Sequence, residues 1–156
     1  MKFCIWVSAE IKPDFVSRMI MWWLKCDYSH IGIGLVDQDN ELHTIYHSVG
    51  EGFSTLSVKD FLSHGKKIVG VKHIPVKNPD QALGFLDGMM GKDYSEMQYI
   101  GFMLPWLKKL VDNGEGELVC SEAATLFVQK YMVDGEIKFK DFNADFTSPK
   151  DLWEAI

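Results

Sequence analysis

Tyr28-Ser29-His30-Ile31-Gly32-Ile33-Gly34-Leu35-Val36 alternates with a period of two, the repeat of a strand with two unlike faces. Ile31, Ile33 and Leu35 point one way, and His30, Gly32 and Gly34 point the other. Two glycines on one face leave room for another element to lie close to the backbone. His30 therefore stands at the start of a rigid strand, on a face that something approaches. Asp37-Gln38-Asp39-Asn40 reads as a hairpin turn, and residues 41–48 as the returning strand. On that strand His43, Ile45 and His47 share one face, while Leu42, Thr44 and Tyr46 share the other.

Outward from this hairpin, residues 2–8 and 67–76 read as two further strands. Pro13 opens a helix that runs to about Leu24. Its inner face is expected to carry Phe15, Met19, Trp22 and Trp23, with the Trp-Trp pair in the core rather than at a membrane. Gly50 and Gly52 read as breakers of the returning strand, and residues 57–63 as a short helix capped by Ser57. Asn78-Pro79 starts a helix with Ala82, Phe85, Leu86 and Met89 inward and Gly91 as its stop. Residues 95–110 are mostly apolar and read as helix, kinked or split by Pro105. Val133-Asp134-Gly135 is a turn, residues 139–146 are irregular, and Ser148-Pro149 caps and starts a last helix. No repeat, linker or low-complexity segment interrupts the chain. The expectation is one α+β domain over residues 1–156, a small antiparallel sheet with a helix packed on it and others at its flank.

A second stretch carries the chemistry. Glu117-Leu118-Val119-Cys120-Ser121-Glu122 follows a glycine-rich loop (Gly114, Gly116) and runs into an amphipathic helix. Cys120 or Ser121 falls at the cap or first turn, where free N–H groups make a locally positive site. A cysteine there ionises more easily, and the thiolate is the form that attacks carbonyls. His30 supplies a base, and the glycine face beside it could receive the Cys120 helix. His47 on the adjoining strand could bond the far nitrogen of His30 and fix its tautomer, with His43 on the same face as its competitor. The Cys120 N–H could donate to an oxyanion. Cys4 and Cys26 lack such surroundings and read as packing residues.

Composition narrows the classes. At 156 residues, with a net charge of −6 and no long basic run, the chain is not a nucleic-acid binder in the first instance. Three widely spaced cysteines form neither a disulfide framework nor a zinc-ribbon pattern, and a reducing compartment suits them. His43 and His47 with His64 or His73 lack a recognised zinc spacing. The N-terminal apolar run is too short for a signal peptide, and nothing reaches the about 18 apolar residues of a membrane span. A cytoplasmic protein is expected, or a phage-encoded one exported by another device. The oligomeric state is left open.

Four segments also resemble a family. Tyr28-Ser29-His30-Ile31-Gly32-Ile33 resembles the "YSHVGI" strand of circularly permuted papain-like hydrolases, relatives of the NlpC-type cell-wall amidases in which the histidine strand precedes the cysteine helix. Val119-Cys120-Ser121-Glu122 resembles their "yCSEL" nucleophile helix. Gly91-Lys92-Asp93-Tyr94 resembles "G-x-x-Y-D", with Ser95 where an acidic residue is usual, and Ser148-Pro149-Lys150-Asp151-Leu152 resembles "SP-x-DL". The segments occur in the family's order over roughly residues 28–152. The resemblance implies a permuted papain-like fold, with Cys120 as nucleophile, His30 as general base and His47 as the third polar residue. Tyr94 and Ser121 are accessory candidates near the oxyanion. Ala123-Ala124 stands where relatives carry bulkier residues, which would widen the groove. The implied activity is acyl-enzyme hydrolysis without metal or organic cofactor. Peptidoglycan-type peptide amides come first as substrate. The alternatives are lipid acyl transfer of the lecithin:retinol acyltransferase kind and a non-catalytic binding module.

Overall fold

The computed structural model describes residues 2–49, 52–92 and 120–156. Tyr94, the helix expected over 95–110 and the loop at Gly114 and Gly116 lie outside them. Five strands form one sheet: β1 (Lys2–Glu10), β2 (His30–Val36), β3 (Leu42–Val49), β4 (Gly52–Ser57) and β5 (Lys66–Ile74). Their order is β4-β3-β2-β1-β5, with every neighbour antiparallel.

Register fixes which side chains share a face. Ile5 pairs with Ile33 and Ile33 with Tyr46, while Trp6 pairs with Gly32 and Gly34 with Ile45. Phe3, Ile5, Val7, Ile31, Ile33, Leu35 and Tyr46 belong to the large core cluster. The opposite face carries Trp6 and Ile45 in a smaller cluster with Phe61. These are called the apolar face and the histidine face below.

Helix α1 (Phe15–Leu24) crosses between β1 and β2. Asp14 caps it, its carboxylate accepting from the Ser17 N–H at 2.7 Å, so Pro13 precedes the cap instead of opening the helix. The expected inner face is also wrong. Phe15 is 69% exposed and Trp22 is 75% exposed, whereas Ile20 is buried and Leu24 packs on the core. The helix is apolar on two sides, so periodicity alone leaves two candidate inner faces; docking selected the Ile20–Leu24 side.

α2 (Val58–Ser63) starts at Ser57, whose hydroxyl accepts from the Asp60 N–H, and it lays Phe61 against the histidine face. β4 before it was not expected. Gly52 adopts φ 107° and starts the strand, so a glycine read as a breaker opens a fourth strand instead. A Cβ on Gly52 would stand 2.5 Å from the Lys92 carbonyl oxygen, which accepts from the Phe53 N–H.

α3 (Pro79–Met89) buries Ala82, Leu86 and Met89 as its spacing requires. β5 ends at Ile74, earlier than the expected residue 76, and Val76 instead makes an isolated bridge to Met132. α4 (Cys120–Tyr131) packs on the apolar face through Ala123, Ala124, Phe127 and Val128. The Phe127 ring lies 5.4 Å from that of Phe3. Fully burying one such ring contributes roughly 1.5–3 kcal/mol. The turn at Asp134 continues as a single-turn helix, α5 (Gly135–Lys138). In α6 (Pro149–Ala155) Ser148 and Asp151 form a reciprocal capping box. The fold is thus α+β, a five-stranded antiparallel sheet with helices on it.

Candidate active site

His30 and His47 meet. Nε2 of His30 lies 3.2 Å from Nδ1 of His47, with the rings 5.4 Å apart and near perpendicular. Both project from the histidine face. Trp6 lies beside them, its centroid 5.5 Å from His30 and 6.2 Å from His47, and Phe61 is 5.4 Å from His47. Trp6 is held in turn by its indole N–H, which donates to the Ile33 carbonyl at 3.0 Å.

This arrangement answers what approaches the glycine face. A Cβ on Gly32 would stand 2.3 Å from the Trp6 ring and 2.6 Å from the Tyr46 carbonyl oxygen. On Gly34 it would strike Leu42 at 2.3 Å and the Cys4 sulfur at 2.8 Å. The glycines therefore admit Trp6 and Leu42, where the Cys120 helix was expected. The helix lies on the other face because Ile31, Ile33 and Leu35 offer it more apolar area to bury.

The ends of α4 set where Cys120 stands. The Lys77 N–H donates to the Tyr131 carbonyl, and the Val133 N–H to that of Pro75. The helix C-terminus is thereby tied to the end of β5, where Ile74 pairs with Phe3 and Phe3 with Leu35. From Tyr131 back to Cys120 is about 16 Å of helix. From Leu35 back to His30 is about 17 Å of strand. Cys120 therefore stands at the far end of α4 from this tie, on a helix that packs on the face opposite the histidines. It opens α4 and is 1% exposed.

The electrostatics are those of neutral imidazoles. Burial pushes the His47 pKa from 6.5 down to about 4, with the Lys66 ammonium adding to the effect. Burial likewise holds His30 well below the ordinary histidine value, helped by His47 and Lys66. The pair has one consistent tautomer for base chemistry. His30 carries its proton on Nε2 and donates to Nδ1 of His47, which leaves Nδ1 of His30 as the basic lone pair. His47 then bears its proton on Nε2, a buried atom without a partner among the described residues.

His43 is exposed and bonds Thr44 Oγ1 at 2.6 Å, so His47 and not His43 contacts His30. Ser121 is fully buried, with no partner for its hydroxyl among the described residues, and its carbonyl accepts from Thr125. Ala123 and Ala124 are also fully buried, on the side of α4 that packs on the sheet. Cys4 is buried, its thiol pushed up to about 12 by desolvation, and burial also raises Cys26. Among the described residues no three His, Cys, Asp or Glu side chains cluster as a metal site. Trp6 and Lys66 were missed as neighbours of the histidines. The alternation of β1 puts Trp6 on one of its two faces, but only the pairing of β1 with β2 shows which.

No protein-family model matches this sequence, and no curated protein matches it.

Proposed function

We propose that the chain is a cysteine hydrolase of the permuted papain-like kind, acting through an acyl-thioester on peptide amides of the peptidoglycan type. The observation that carries this reading is the part-buried His30–His47 hydrogen bond, with Cys120 opening a helix on the other face of the same sheet. The reading requires the ring of His30, the first residue of β2, to reach round the strand end to the thiol.

In the resting state His30 is neutral. It takes the Cys120 proton on Nδ1 as sulfur attacks the carbonyl, and the His30 N–H donated to His47 keeps the ring oriented. Protonated His30 then gives its proton to the leaving amine. Water, deprotonated by the same ring, releases the acyl group. N–H groups at the start of α4 suit the oxyanion. His47 acts as a positioning residue.

The test is alkylation of each cysteine by iodoacetamide across pH, read by mass spectrometry, beside turnover of stem-peptide amides and of acyl esters. Cys4 and Cys26 are internal controls, since burial raises both thiols. Cys120 should label fastest, and His30→Ala should slow both its labelling and amide turnover by about 100-fold or more. A folded protein in which Cys120 labels no faster than Cys26, and in which His30→Ala changes nothing, rules the hydrolase out. Turnover of acyl esters alone would move the substrate to lipids.

A further inference from the structure

The exposed side of α1 is unlike the rest of the surface. Phe15 and Trp22 lie seven residues apart, two turns along one side of the helix, and Trp23 beside them is half exposed. Ile11, just before the helix, is 63% exposed. Met19 lies between Phe15 and Trp22 on the same side. Trp22, Trp23 and Lys25 line an open cleft of about 470 Å³. These exposed rings take no part in the core, which the helix meets through Ile20 and Leu24.

The charges around the patch are biased. Residues 11–27 hold Lys12, Arg18 and Lys25 against Asp14 and Asp27, in a chain of net charge −6. Arg18 and Lys25 are exposed, and Lys25, in the left-handed cap that ends the helix, lines the same cleft as Trp22 and Trp23. Asp14 is occupied as the helix cap. The Ile11 N–H donates to the Gly65 carbonyl, which brings the start of β5, with exposed Lys67, to the same edge of the molecule.

We infer that this side of α1 docks the protein on a bilayer surface that carries anionic headgroups. Phe15, Trp22 and Trp23 enter the boundary between headgroups and acyl chains, where amphipathic rings are favoured. Arg18 and Lys25 meet the headgroup anions. The helix lies in the plane of the interface and does not cross it; among the described residues no helix is long and apolar enough to cross a membrane. Charge argues against a second copy as the occupant. A two-fold contact through this side with the helices antiparallel would bring the Arg18 and Lys25 edge against the same edge of the partner. The inference does not depend on Cys120 chemistry, and its test reads binding, not turnover.

The experiment is flotation of the full chain with extruded vesicles of phosphatidylcholine, with and without about 30 mol % phosphatidylserine. Wild type should float with the anionic vesicles and little with the neutral ones. Phe15→Ser/Trp22→Ser should cut partitioning about tenfold or more, and so should Trp22→Ser alone to a smaller degree. Arg18→Gln/Lys25→Gln should cut binding to anionic vesicles about tenfold while leaving neutral ones unchanged. The substituted side chains are exposed, so thermal melts should stay at the wild-type position. Trp22 should be quenched by brominated acyl chains. Wild type that floats with neither vesicle overturns the inference, and so do variants that float like wild type. Concentration-dependent dimerisation that Trp22→Ser abolishes, with no vesicle binding, would assign the surface to a second copy instead.

Discussion

The two faces of one sheet follow opposite rules. On the apolar face α4 covers Phe3, Ile5, Ile31 and Ile33 with Phe127 and Val128, in one large apolar cluster. On the histidine face a small cluster of Trp6, Ile45 and Phe61 encloses two imidazoles that bond each other and leave one nitrogen without a partner among the described residues. The first face spends its side chains on stability. The second keeps two imidazoles that burial holds neutral, and titratable groups perturbed in this way cluster at functional sites.

The sharpest way to break the comparison is on the apolar face. Phe127→Ala removes a fully buried ring that touches Phe3, Phe85 and Tyr131. It should cost about 3–5 kcal/mol in urea unfolding. A loss below about 1 kcal/mol would mean that α4 is not the keystone of this face.

The next effect belongs to the histidine face. Because the folded pKa of His47 lies below its unfolded value, the unfolded chain binds more protons in acid. The contribution of this group is fully present above pH 6.5 and is lost as pH falls from 6.5 toward about 4. The span corresponds to on the order of 3 kcal/mol for His47, with His30 adding in the same direction. Unfolding free energies measured between pH 7 and 4 should fall accordingly, and His47→Leu should flatten the curve. An unchanged slope in His47→Leu would show that the imidazole is not buried in solution.

The smallest effect tests how tightly the two histidines are enclosed. Gly32→Ala places a methyl into the Trp6 ring and the Tyr46 carbonyl, and should destabilise by about 1–3 kcal/mol. Its Trp6 fluorescence should shift as the ring is displaced from beside His30. Full stability with an unchanged spectrum would show that the glycine face has room to spare.

Much of this was legible from residues alone. The alternation over residues 28–36 gave the strand and its two faces, and the shared face of His43, Ile45 and His47 put His47 within reach of His30. The caps at Ser57 and Ser148 were readable because a hydroxyl before a helix bonds its own first turn. β4 was hidden because glycines end a strand or turn it into the next one, and only the partner strand decides. The side of α1 that faces out was hidden for a related reason, since an apolar helix with two possible inner faces has no preference until it docks.

What the sequence determined by itself is therefore local: periodicity, caps, turns, and the residue types able to act as nucleophile and base. Tertiary structure decided everything that depends on which surfaces meet. It put Trp6 where a helix was expected, chose His47 over His43 and turned Phe15 and Trp22 to solvent. The reason is that a period of two or of 3.6 fixes which side chains share a face, whereas the partner of that face is chosen by the area the whole fold can bury.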